Sequence, residues 1–404
     1  MREAVITGVG AISVLGLARE TIATSLYEGR CGIVADAARL AAGFRSPLTG
    51  IVRDFDGSRW LNRKQRKTMP ECAQHAYVAA RQAMEQAALD DAFVRGPRCG
   101  LIFGNDSTAG PTFALAALRQ EAQPTTALGS GHMFQIMNST VTMNLGVLLG
   151  ITGGSWTVSA ACASGLLAVG QAVDAIRLNR QDIVICGGAQ ELHAEAVSAF
   201  DGLGAFSICP DPQRASRPFD AARDGLVPSG GAAALVVEEA QHARARGARI
   251  LGRIRGWGYC ADGLDLVVPS PRGLSRAMRL ALIDAGVRPD DITEINAHAT
   301  STPVGDAAEA RNILDVFGDA CPPVLALKAL TGHEFWMAGA AQVVYAAIMA
   351  EHGFRAGAPS HVRGDAQTAA IPVLQRSDDI PPNLMLCNAA GFGGSNVSMV
   401  VQFP

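Results

Sequence analysis

Short apolar runs rich in β-branched residues alternate with longer segments of helical periodicity along this 404-residue chain. The apolar runs predict ten strands, at residues 4–6, 100–103, 156–158, 182–186, 233–237, 250–255, 292–296, 324–327, 384–387 and 397–401. The periodic segments predict six helices, at residues 69–88, 141–149, 164–178, 275–285, 306–316 and 339–350. Such alternation is typical of α/β proteins, in which mostly parallel sheets lie between layers of helices.

The strands and helices fall into two similar series that meet near residues 244–248. No repeat of the sequence itself accompanies this similarity. A chain of this length, with 49% hydrophobic residues, can bury a large core. The pattern therefore predicts two pseudo-symmetric halves, an N-terminal half at residues 1–248 and a C-terminal half at residues 249–404.

Composition narrows the classes of function. The net charge is −3 and no long basic run occurs, which argues against nucleic acid or an anionic membrane as the main partner. Nine cysteines are spaced singly, so we expect free thiols in a reducing compartment and no zinc or other metal site. Gly8 and Gly10 do not complete a GxGxxG motif, so no nucleotide cofactor is expected.

The apolar N-terminal segment predicts a buried first strand rather than a signal peptide, because Glu3 and Thr7 interrupt it. No run reaches the 18 or more apolar residues of a membrane-spanning helix. We therefore expect a cytoplasmic protein without a membrane span.

The candidate chemistry centres on Cys162, which lies between a β-rich run and a helical segment in the sequence VSAACASG. Position at a helix N-terminus predicts a lowered cysteine pKa and hence a nucleophilic thiolate. His298 lies in the sequence NAHATSTP and His333 in KALTGH, each after a strand-like run. A cysteine with two histidines in Gly/Thr-rich loops indicates acyl-thioester chemistry.

These motifs occur together with others in a fixed order, and the set resembles the β-ketoacyl-acyl-carrier-protein synthases of the thiolase-like condensing-enzyme superfamily. The other matching segments are AVITGVG at 4–10, QDIV at 181–184, ASRPFD at 215–220, RDG at 223–225 and GFGGSN at 391–396. The resemblance therefore runs nearly from end to end. It implies a thiolase-like layered αβαβα sandwich built from the two halves.

The resemblance also implies a reaction. Cys162 would accept an acyl chain from an acyl carrier protein, and decarboxylation of malonyl-carrier protein would generate the carbanion that attacks this thioester. The chain would grow by two carbons, as in fatty-acid or polyene-type synthesis. His298 and His333 would donate hydrogen bonds to the malonyl thioester oxygen. The main-chain N–H groups of Cys162 and Phe392 would form the oxyanion hole for acyl transfer.

Supporting residues follow from the same resemblance. Lys328 and Glu309 would pair beside His333. Thr300 and Thr302 would bind the phosphopantetheine arm of the carrier, and threonine here would also suit the cap of a helix beginning near residue 303. Phe392, flanked by glycines, would gate the acyl pocket. The enzyme itself would need no cofactor.

The implied partners are an acyl carrier protein and a second subunit. Four basic residues, Arg63, Lys64, Arg66 and Lys67, are a candidate docking cluster for the acidic carrier, and a merely solvated face is the alternative. A homodimer would form through residues 155–159, with a heterodimer with a related ketosynthase subunit left open. Residues 133–149 and the opposing subunit would set the depth of the acyl pocket.

Several positions depart from the family pattern. Ala299 replaces a glycine, Leu226 replaces a phenylalanine, and the bulky residues 334–336 (EFW) follow His333 in place of smaller ones. These departures suggest a specialised acyl chain or partner. Two other functions remain open at this point: a catalytically silent partner like a chain-length factor, and a Cys-His hydrolase of another fold. The first would lack the nucleophile, and the second would need an orienting Asn or Asp.

Overall fold

The structure, a computed structural model, describes residues 2–121 and 124–404. Its strands are β1 (Ala4–Ile12), β2 (Ile33–Ala35), β3 (Leu48–Gly50), β4 (Cys99–Gly104), β5 (Ser155–Val158), β6 (Ile183–Gln190), β7 (Gly231–Glu239), β8 (Gly252–Ala261), β9 (Glu294–Asn296), β10 (Val324–Leu325), β11 (Leu384–Gly391) and β12 (Ser395–Gln402). Strands β2 and β3 form a small separate ribbon, and the other ten form one mixed sheet.

The helices α1–α8 are Arg19–Tyr27, Ala37–Ala41, Arg63–Arg66, Glu71–Gln86, Asp91–Val94, Ala109–Gln120, His132–Gln135 and Thr140–Leu149. Helices α9–α15 are Ser164–Arg177, Ala194–Gly202, Ala240–Ala245, Gly273–Ala285, Pro303–Phe317, Lys328–Thr331 and Ala338–His352. Short 3₁₀ turns join several of them, including one at Phe335–Met337 directly before α15.

The order of strands in the sheet reveals the duplication. Five strands of the first half run in the spatial order β5-β4-β6-β7-β1, and five of the second run β10-β9-β11-β12-β8. When the five strands of each half are numbered along the chain, both halves have the same spatial order: third, second, fourth, fifth and first. The pairing directions also correspond. In each half, the pairs nearest the outer edge of the sheet (β5–β4 and β4–β6, β10–β9 and β9–β11) are parallel, and the pairs with β7 and β12 are antiparallel.

Helices α9 and α15 form the central layer of the molecule. Helix α9 packs on strands β4 and β6 of the first half and on β12 of the second, while α15 contacts α9 and strands of both halves. Residues 338–349 of α15 are all buried, as expected for a helix covered on every side. Helix α4 covers the first half from outside, with α8 beside it, and α12 covers the second with α13 beside it.

The layered α/β fold predicted from the sequence is confirmed, with all ten predicted strands and all six predicted helices present. The expectation of mostly parallel pairing is wrong, because four of the nine strand pairs in the large sheet are parallel and five are antiparallel. Strand β1 also pairs with β8 over three residues, which joins the two five-stranded groups into one continuous sheet. Along the chain, the first five-stranded group ends with β7 and the second begins with β8. The domain boundary at residue 248 stays a prediction. Along residues 2–121 and 124–404, no helix is both long and apolar enough to cross a membrane.

Candidate active site

The carboxyl ends of corresponding strands from the two halves converge on one cavity. Cys162 lies just after β5, and His298 lies just after β9. His333 follows β10 by way of the short helix α14, and Phe392 lies in the turn between β11 and β12. All four residues line the cavity. The sequence motifs, which are up to 230 positions apart along the chain, therefore meet in one place.

Cys162 lies on a tight turn between β5 and α9. The preceding residue, Ala161, has a φ of +47°, which is a strained value for a residue with a side chain. Three hydrogen bonds hold this turn: Ala161 N–H donates to the Asp106 carboxylate at 2.9 Å, Ala160 N–H donates to Ser164 Oγ at 2.8 Å, and Ser164 Oγ donates to the Ala161 carbonyl at 2.6 Å. The turn presents the sulfur to the cavity two residues before the helix begins.

Asp106 was not anticipated from the sequence. It follows β4, which runs parallel to β5, so the ends of the two strands lie side by side. The polar sequence Asn105-Asp106-Ser107 directly after a buried strand is the signal that could have identified it. Its carboxylate fixes the turn that carries the cysteine, and its charge raises the pKa of Cys162.

The predicted lowering of the cysteine pKa is wrong for this structure. Cys162 is 6% exposed, in an apolar cluster with Phe206, Leu226 and Phe335. Burial raises the pKa of Cys162 to about 12, and the opposing effects of the Lys328 charge and a main-chain N–H are smaller. The cost of removing the thiolate from water therefore exceeds the stabilisation expected from the helix N-terminus, and Cys162 rests as a thiol.

His333 is held by a segment of the first half. Its N–H donates to the Val227 carbonyl at 2.7 Å, and its carbonyl accepts from Ser229 N–H at 2.9 Å. Gly332 makes this approach possible, because it has a φ of +70° and an added Cβ would lie 2.8 Å from the Val227 oxygen. The imidazole Nε2 of His333 lies 3.0 Å from Cys162 Sγ, within hydrogen-bonding distance.

Glu309 holds His298 from helix α13. One carboxylate oxygen accepts from His298 N–H at 2.9 Å, and the other accepts from Ala299 N–H at 2.6 Å. Asn388 also donates to this carboxylate at 3.3 Å. Ala299 is accommodated with its side chain buried. Glu309 therefore positions the loop that carries the histidine.

The two imidazoles meet edge to face, with ring centroids 5.2 Å apart and planes at 86°. Burial lowers the pKa of both His298 and His333 well below the ordinary value, and the charge of Lys328 lowers each further. Both rings are thus neutral at physiological pH. A neutral imidazole with one N–H can donate a hydrogen bond to an oxygen that gains negative charge.

The predicted contact between Lys328 and Glu309 is not a direct ion pair. Among the described residues, the Lys328 ammonium nitrogen does not lie within 4.0 Å of either carboxylate oxygen of Glu309. The oxygens of Glu309 instead accept main-chain hydrogen bonds in the His298 loop. Burial lowers the pKa of Lys328, and Glu334 and then Glu309 raise it. Lys328 therefore affects the site through its charge, which lowers the pKa of both His298 and His333, and not through a direct ion pair with Glu309.

Thr300 and Thr302 line the same cavity. Thr302 caps helix α13, because its Oγ1 accepts from Gly305 N–H at 3.2 Å, as the sequence predicted. The hydroxyl groups of Thr300 and Thr302 lie 3.0 Å apart, and both side chains are half-buried. Val304 and Leu266 also line the cavity, together with polar residues such as Asp265.

Phe392 is 40% exposed at the mouth of the cavity, where its ring stacks on Phe200 at 5.8 Å. Gly393 and Gly394 follow it with φ values of +79°. On its other side, Gly391 packs so closely on the cysteine turn that an added Cβ would lie 3.1 Å from Cys162 N. The main chain at Gly391, next to Phe392, therefore lies close to the main chain of Cys162, as an oxyanion hole built from Phe392 and Cys162 would require.

The bulky residues after His333 close the wall of the site. Phe335 stacks on the His333 ring at 4.7 Å and has a φ of +42°. Trp336 is 8% exposed and packs in the same apolar cluster as Cys162 and Leu226. The Glu334 carboxyl points elsewhere and accepts a hydrogen bond from Tyr345.

The basic residues of α3 and its flank lie away from the catalytic cavity. Arg63, Lys64 and Lys67 are exposed, and Arg66 is half-buried. With Arg66 they line a separate shallow depression, and none of the four forms an ion pair among the described residues. Within the part of the chain that the structure describes, no group of three or more His, Cys, Asp or Glu side chains is arranged to hold a metal ion.

Comparison with known proteins places these motifs in a family. Residues 1–243 match the model of the β-ketoacyl synthase N-terminal domain, and residues 251–359 match that of the C-terminal domain. The 3-oxoacyl-[acyl-carrier-protein] synthase 1 of Escherichia coli strain K12 is 37% identical over 407 aligned positions, covering 100% of this chain and 99% of that protein.

Two solved structures share the fold. The ishigamide ketosynthase/chain length factor is 30% identical with a TM-score of 0.93, covering 100% of this chain and 99% of that one. A type II PKS acyl-carrier protein in complex with its ketosynthase bound to the hexaketide gives 25% identity and a TM-score of 0.91, with both chains fully covered. Together with the matched family models and the cysteine and two histidines in one cavity, these likenesses show that the chain belongs to the β-ketoacyl synthase family.

Proposed function

We propose that this protein is a β-ketoacyl-acyl-carrier-protein synthase that lengthens an acyl chain by two carbons through decarboxylative condensation. The observation that carries the proposal is the meeting of Cys162, His298 and His333 in one buried cavity, with His333 Nε2 3.0 Å from the sulfur. The Escherichia coli relative bears the name of this activity. A nucleophile and two neutral donors are the groups that the reaction needs.

In the first half-reaction, the sulfur of Cys162 attacks the carbonyl carbon of an acyl-carrier thioester. The thiol proton leaves the sulfur, for which His333 Nε2 is the nearest acceptor. The carbon–sulfur bond to the carrier breaks, and the same proton passes from His333 to the departing carrier sulfur. The carrier therefore leaves as its thiol, and the acyl chain stays on Cys162. Main-chain N–H groups of Cys162 and Phe392 stabilise the oxyanion of the tetrahedral intermediate.

In the second half-reaction, malonyl-carrier protein enters past Thr300 and Thr302, which bind its phosphopantetheine arm. The malonyl carboxylate leaves as CO₂, and its bonding electrons form an enolate whose oxygen accepts hydrogen bonds from His298 and His333. The carbanion carbon then attacks the carbonyl carbon of the thioester on Cys162, and the carbon–sulfur bond breaks. The β-ketoacyl chain stays on the carrier, and the Cys162 thiolate that leaves takes up one proton from solvent to restore the thiol. The charge of Lys328 favours the neutral form of both histidines, and Glu309 positions the His298 loop.

The proposed partner is an acyl carrier protein that docks on Arg63, Lys64, Arg66 and Lys67. These side chains have no internal ion pair in the described residues, which suits attraction of an acidic surface. The substrates arrive on the carrier's arm, so the proposal assigns no cofactor to the chain itself. All nine cysteines are free, which supports placing the enzyme in a reducing compartment, the cytoplasm.

The proposed assembly is a homodimer joined along β5. This strand lies at the edge of the sheet, and Trp156 on it is 40% exposed. An unprotected edge strand with an exposed indole is a suitable pairing surface. Light scattering should give twice the chain mass, whereas a stable and active species near 42.0 kDa would contradict the dimer. A heterodimer with a related subunit is the alternative, as the ketosynthase/chain length factor structure illustrates.

Incubation with acyl- and malonyl-carrier proteins, followed by mass measurement of the carrier, tests the proposed function. We expect a β-ketoacyl chain two carbons longer than the acyl substrate. Free fatty acid as the main product would indicate a hydrolase. No reaction of the purified chain with any acyl length would indicate a silent partner subunit. A panel of acyl-carrier substrates that differ in length and unsaturation would define the chain and separate fatty-acid from polyene-type synthesis.

A further inference from the structure

A single hydrogen bond orients the His333 ring within the described part of the chain. It joins Nε2 to Cys162 Sγ at 3.0 Å, while the other ring nitrogen, Nδ1, is buried without a partner. A catalytic histidine is usually oriented by a hydrogen bond to its second ring nitrogen. Val227 and Ser229 fix the main chain of His333, but they leave the ring free to rotate about its side-chain bonds.

Acylation of the nucleophile removes this hydrogen bond. When Cys162 carries an acyl chain, its sulfur belongs to a thioester, which has no proton and is a weak acceptor. In the second half-reaction His333 must still present Nε2–H to the enolate oxygen. The orientation of the ring at that stage therefore depends on its contacts with neighbouring side chains.

Phe335 makes the closest ring contact with this imidazole. The two rings stack with centroids 4.7 Å apart and planes at 26°. Phe335 is 1% exposed and His333 is 2% exposed, so neither ring has room to swing into solvent. His298, the other ring in contact with His333 among the described residues, meets it edge to face and does not restrict its plane in the same way.

Phe335 is itself held by aromatic neighbours. Its ring meets Phe200 with centroids 4.9 Å apart and planes at 60°, and Trp336 with centroids 5.5 Å apart and planes at 59°. The main chain of Phe335 has a φ of +42°, a left-handed conformation that bulky residues rarely adopt. Such a conformation persists only where the surrounding packing stabilises it. The same packing keeps the ring of Phe335 against His333.

We propose that Phe335 is a positioning residue that holds the His333 ring during the malonyl half-reaction, when the hydrogen bond to Cys162 is absent. Stacking fixes the plane of the imidazole without selecting the nitrogen that carries the proton. Nε2 can therefore accept the thiol proton in the first half-reaction and donate to the enolate oxygen in the second. This inference rests on the proposed function, because both half-reactions belong to the same site.

The variants F335L and F335M test the proposal, because each keeps an apolar side chain but lacks a flat ring. The enzyme is first acylated, separated from free carrier, and mixed with malonyl-carrier protein for one turnover. We expect each variant to slow condensation by about tenfold or more, and to slow acylation of Cys162 by no more than about threefold. Condensation within about twofold of the wild-type rate in either folded variant would overturn the proposal.

A conservative variant separates the flat ring from simple bulk. F335Y keeps the ring, so its condensation rate should stay within about threefold of the wild-type rate. Equal losses in F335Y and F335L would overturn the proposal. F354L is the matched control, because Phe354 is a buried phenylalanine outside the cavity that meets Tyr27 edge to face at 5.2 Å. This control should leave both rates unchanged.

A double-mutant cycle tests whether Phe335 acts through His333. In H333A the ring on which Phe335 stacks is gone, so adding F335L should cause little further loss of condensation. In H298A that ring remains, so adding F335L should cause the same loss of about tenfold as in the wild-type enzyme. A full additional loss in H333A/F335L would mean that Phe335 acts through general packing, and would overturn the proposal.

Controls distinguish this inference from the proposed function. The thermal unfolding midpoint of each variant and the final extent of Cys162 acylation establish that the site is assembled. Wild-type condensation on the same carriers must be measured first, because its absence would refute the proposed function itself. A wild-type enzyme that condenses, together with unaffected condensation in F335L and F335M, refutes only the role of Phe335.

Discussion

The two halves of the molecule share one topology but contribute opposite chemistry. In the first half, the turn after β5 leads through Cys162 into the long helix α9. In the second, the chain after the corresponding strand β10 forms the short helix α14 and the His333 turn before α15. The first half supplies an uncharged nucleophile in an apolar cluster. The second supplies buried polar groups: Lys328, Glu309, His298 and His333.

This difference shows how a duplicated fold can build an asymmetric site. Corresponding strand ends lie on either side of the central helices, so a turn from each half reaches the same cavity. Strands β9 and β10 have only three and two residues, against six and four in β4 and β5. The shorter strands leave more of the second half as loops, where polar side chains can be held by hydrogen bonds.

The largest effect expected is loss of the nucleophile of the first half. C162A should abolish both acyl transfer and condensation, because no other thiol lies at this turn. Intact-mass measurement after incubation with acyl-carrier protein should show no acyl adduct. C209A, which changes a cysteine outside the cavity, serves as the matched control. An acyl adduct on another cysteine of C162A, followed by elongation, would refute the central assignment.

Removal of the histidines of the second half should come next. H298A and H333A should each slow condensation by about 10²- to 10³-fold, the usual cost of losing one preorganised donor. H298A should leave acylation of Cys162 nearly unchanged. H333A should slow acylation as well, because its Nε2 lies 3.0 Å from the sulfur.

The readouts for these variants are the rate of CO₂ release and the rate of adduct formation, measured separately. H352A, at an exposed histidine at the end of α15, is the control. Equal and complete loss of acylation in H298A and H333A would contradict the division of labour between the halves.

The pH dependence of Cys162 alkylation tests whether burial or the helix N-terminus governs the thiol. Burial raises its pKa to about 12, so the thiolate fraction, and hence the rate with iodoacetamide, should rise continuously from pH 7 to pH 10. The reaction is followed by mass spectrometry of the Cys162 peptide. A plateau reached below pH 8 would mean that the thiolate is already formed, and that the helix terminus prevails.

The smallest effect expected concerns carrier docking, which lies outside both catalytic turns. K67E should lower kcat/KM for acyl-carrier protein several-fold at low salt, and the difference should shrink as ionic strength rises. R376E, at an exposed arginine outside the cluster, is the control. An unchanged kcat/KM in K67E and in K64E would assign these residues to an ordinary solvated face.

Most of the fold was predictable because buried strands and amphipathic helices leave strong periodic patterns. The short ribbon β2–β3 and helix α6 were not predicted. Each ribbon strand has three residues, too few for a recognisable period, and α6 carries Gly110 and Pro111 in its first turn, which usually indicate a loop. Tertiary packing decides the conformation of such segments.

The positions of Cys162, His298 and His333 followed from their motifs, but the energetics of the site did not. The direction of the Cys162 pKa depends on how deeply the sulfur is buried, which one motif does not encode. The absence of a direct Lys328–Glu309 pair likewise depends on distances between separate elements. Asp106 was missed because its function arises from the side-by-side placement of β4 and β5.

Condensation with uniformly ¹³C-labelled malonyl-carrier protein tests the central claim most directly. The enzyme is first acylated with an unlabelled chain, separated from free acyl-carrier protein, and then mixed with the labelled substrate. We predict a carrier-bound β-ketoacyl product that contains the unlabelled chain plus two ¹³C atoms, one equivalent of ¹³CO₂, and a Cys162 that has lost its acyl group. Release of the unlabelled chain as free acid, or an acyl group that stays on Cys162, would contradict the account.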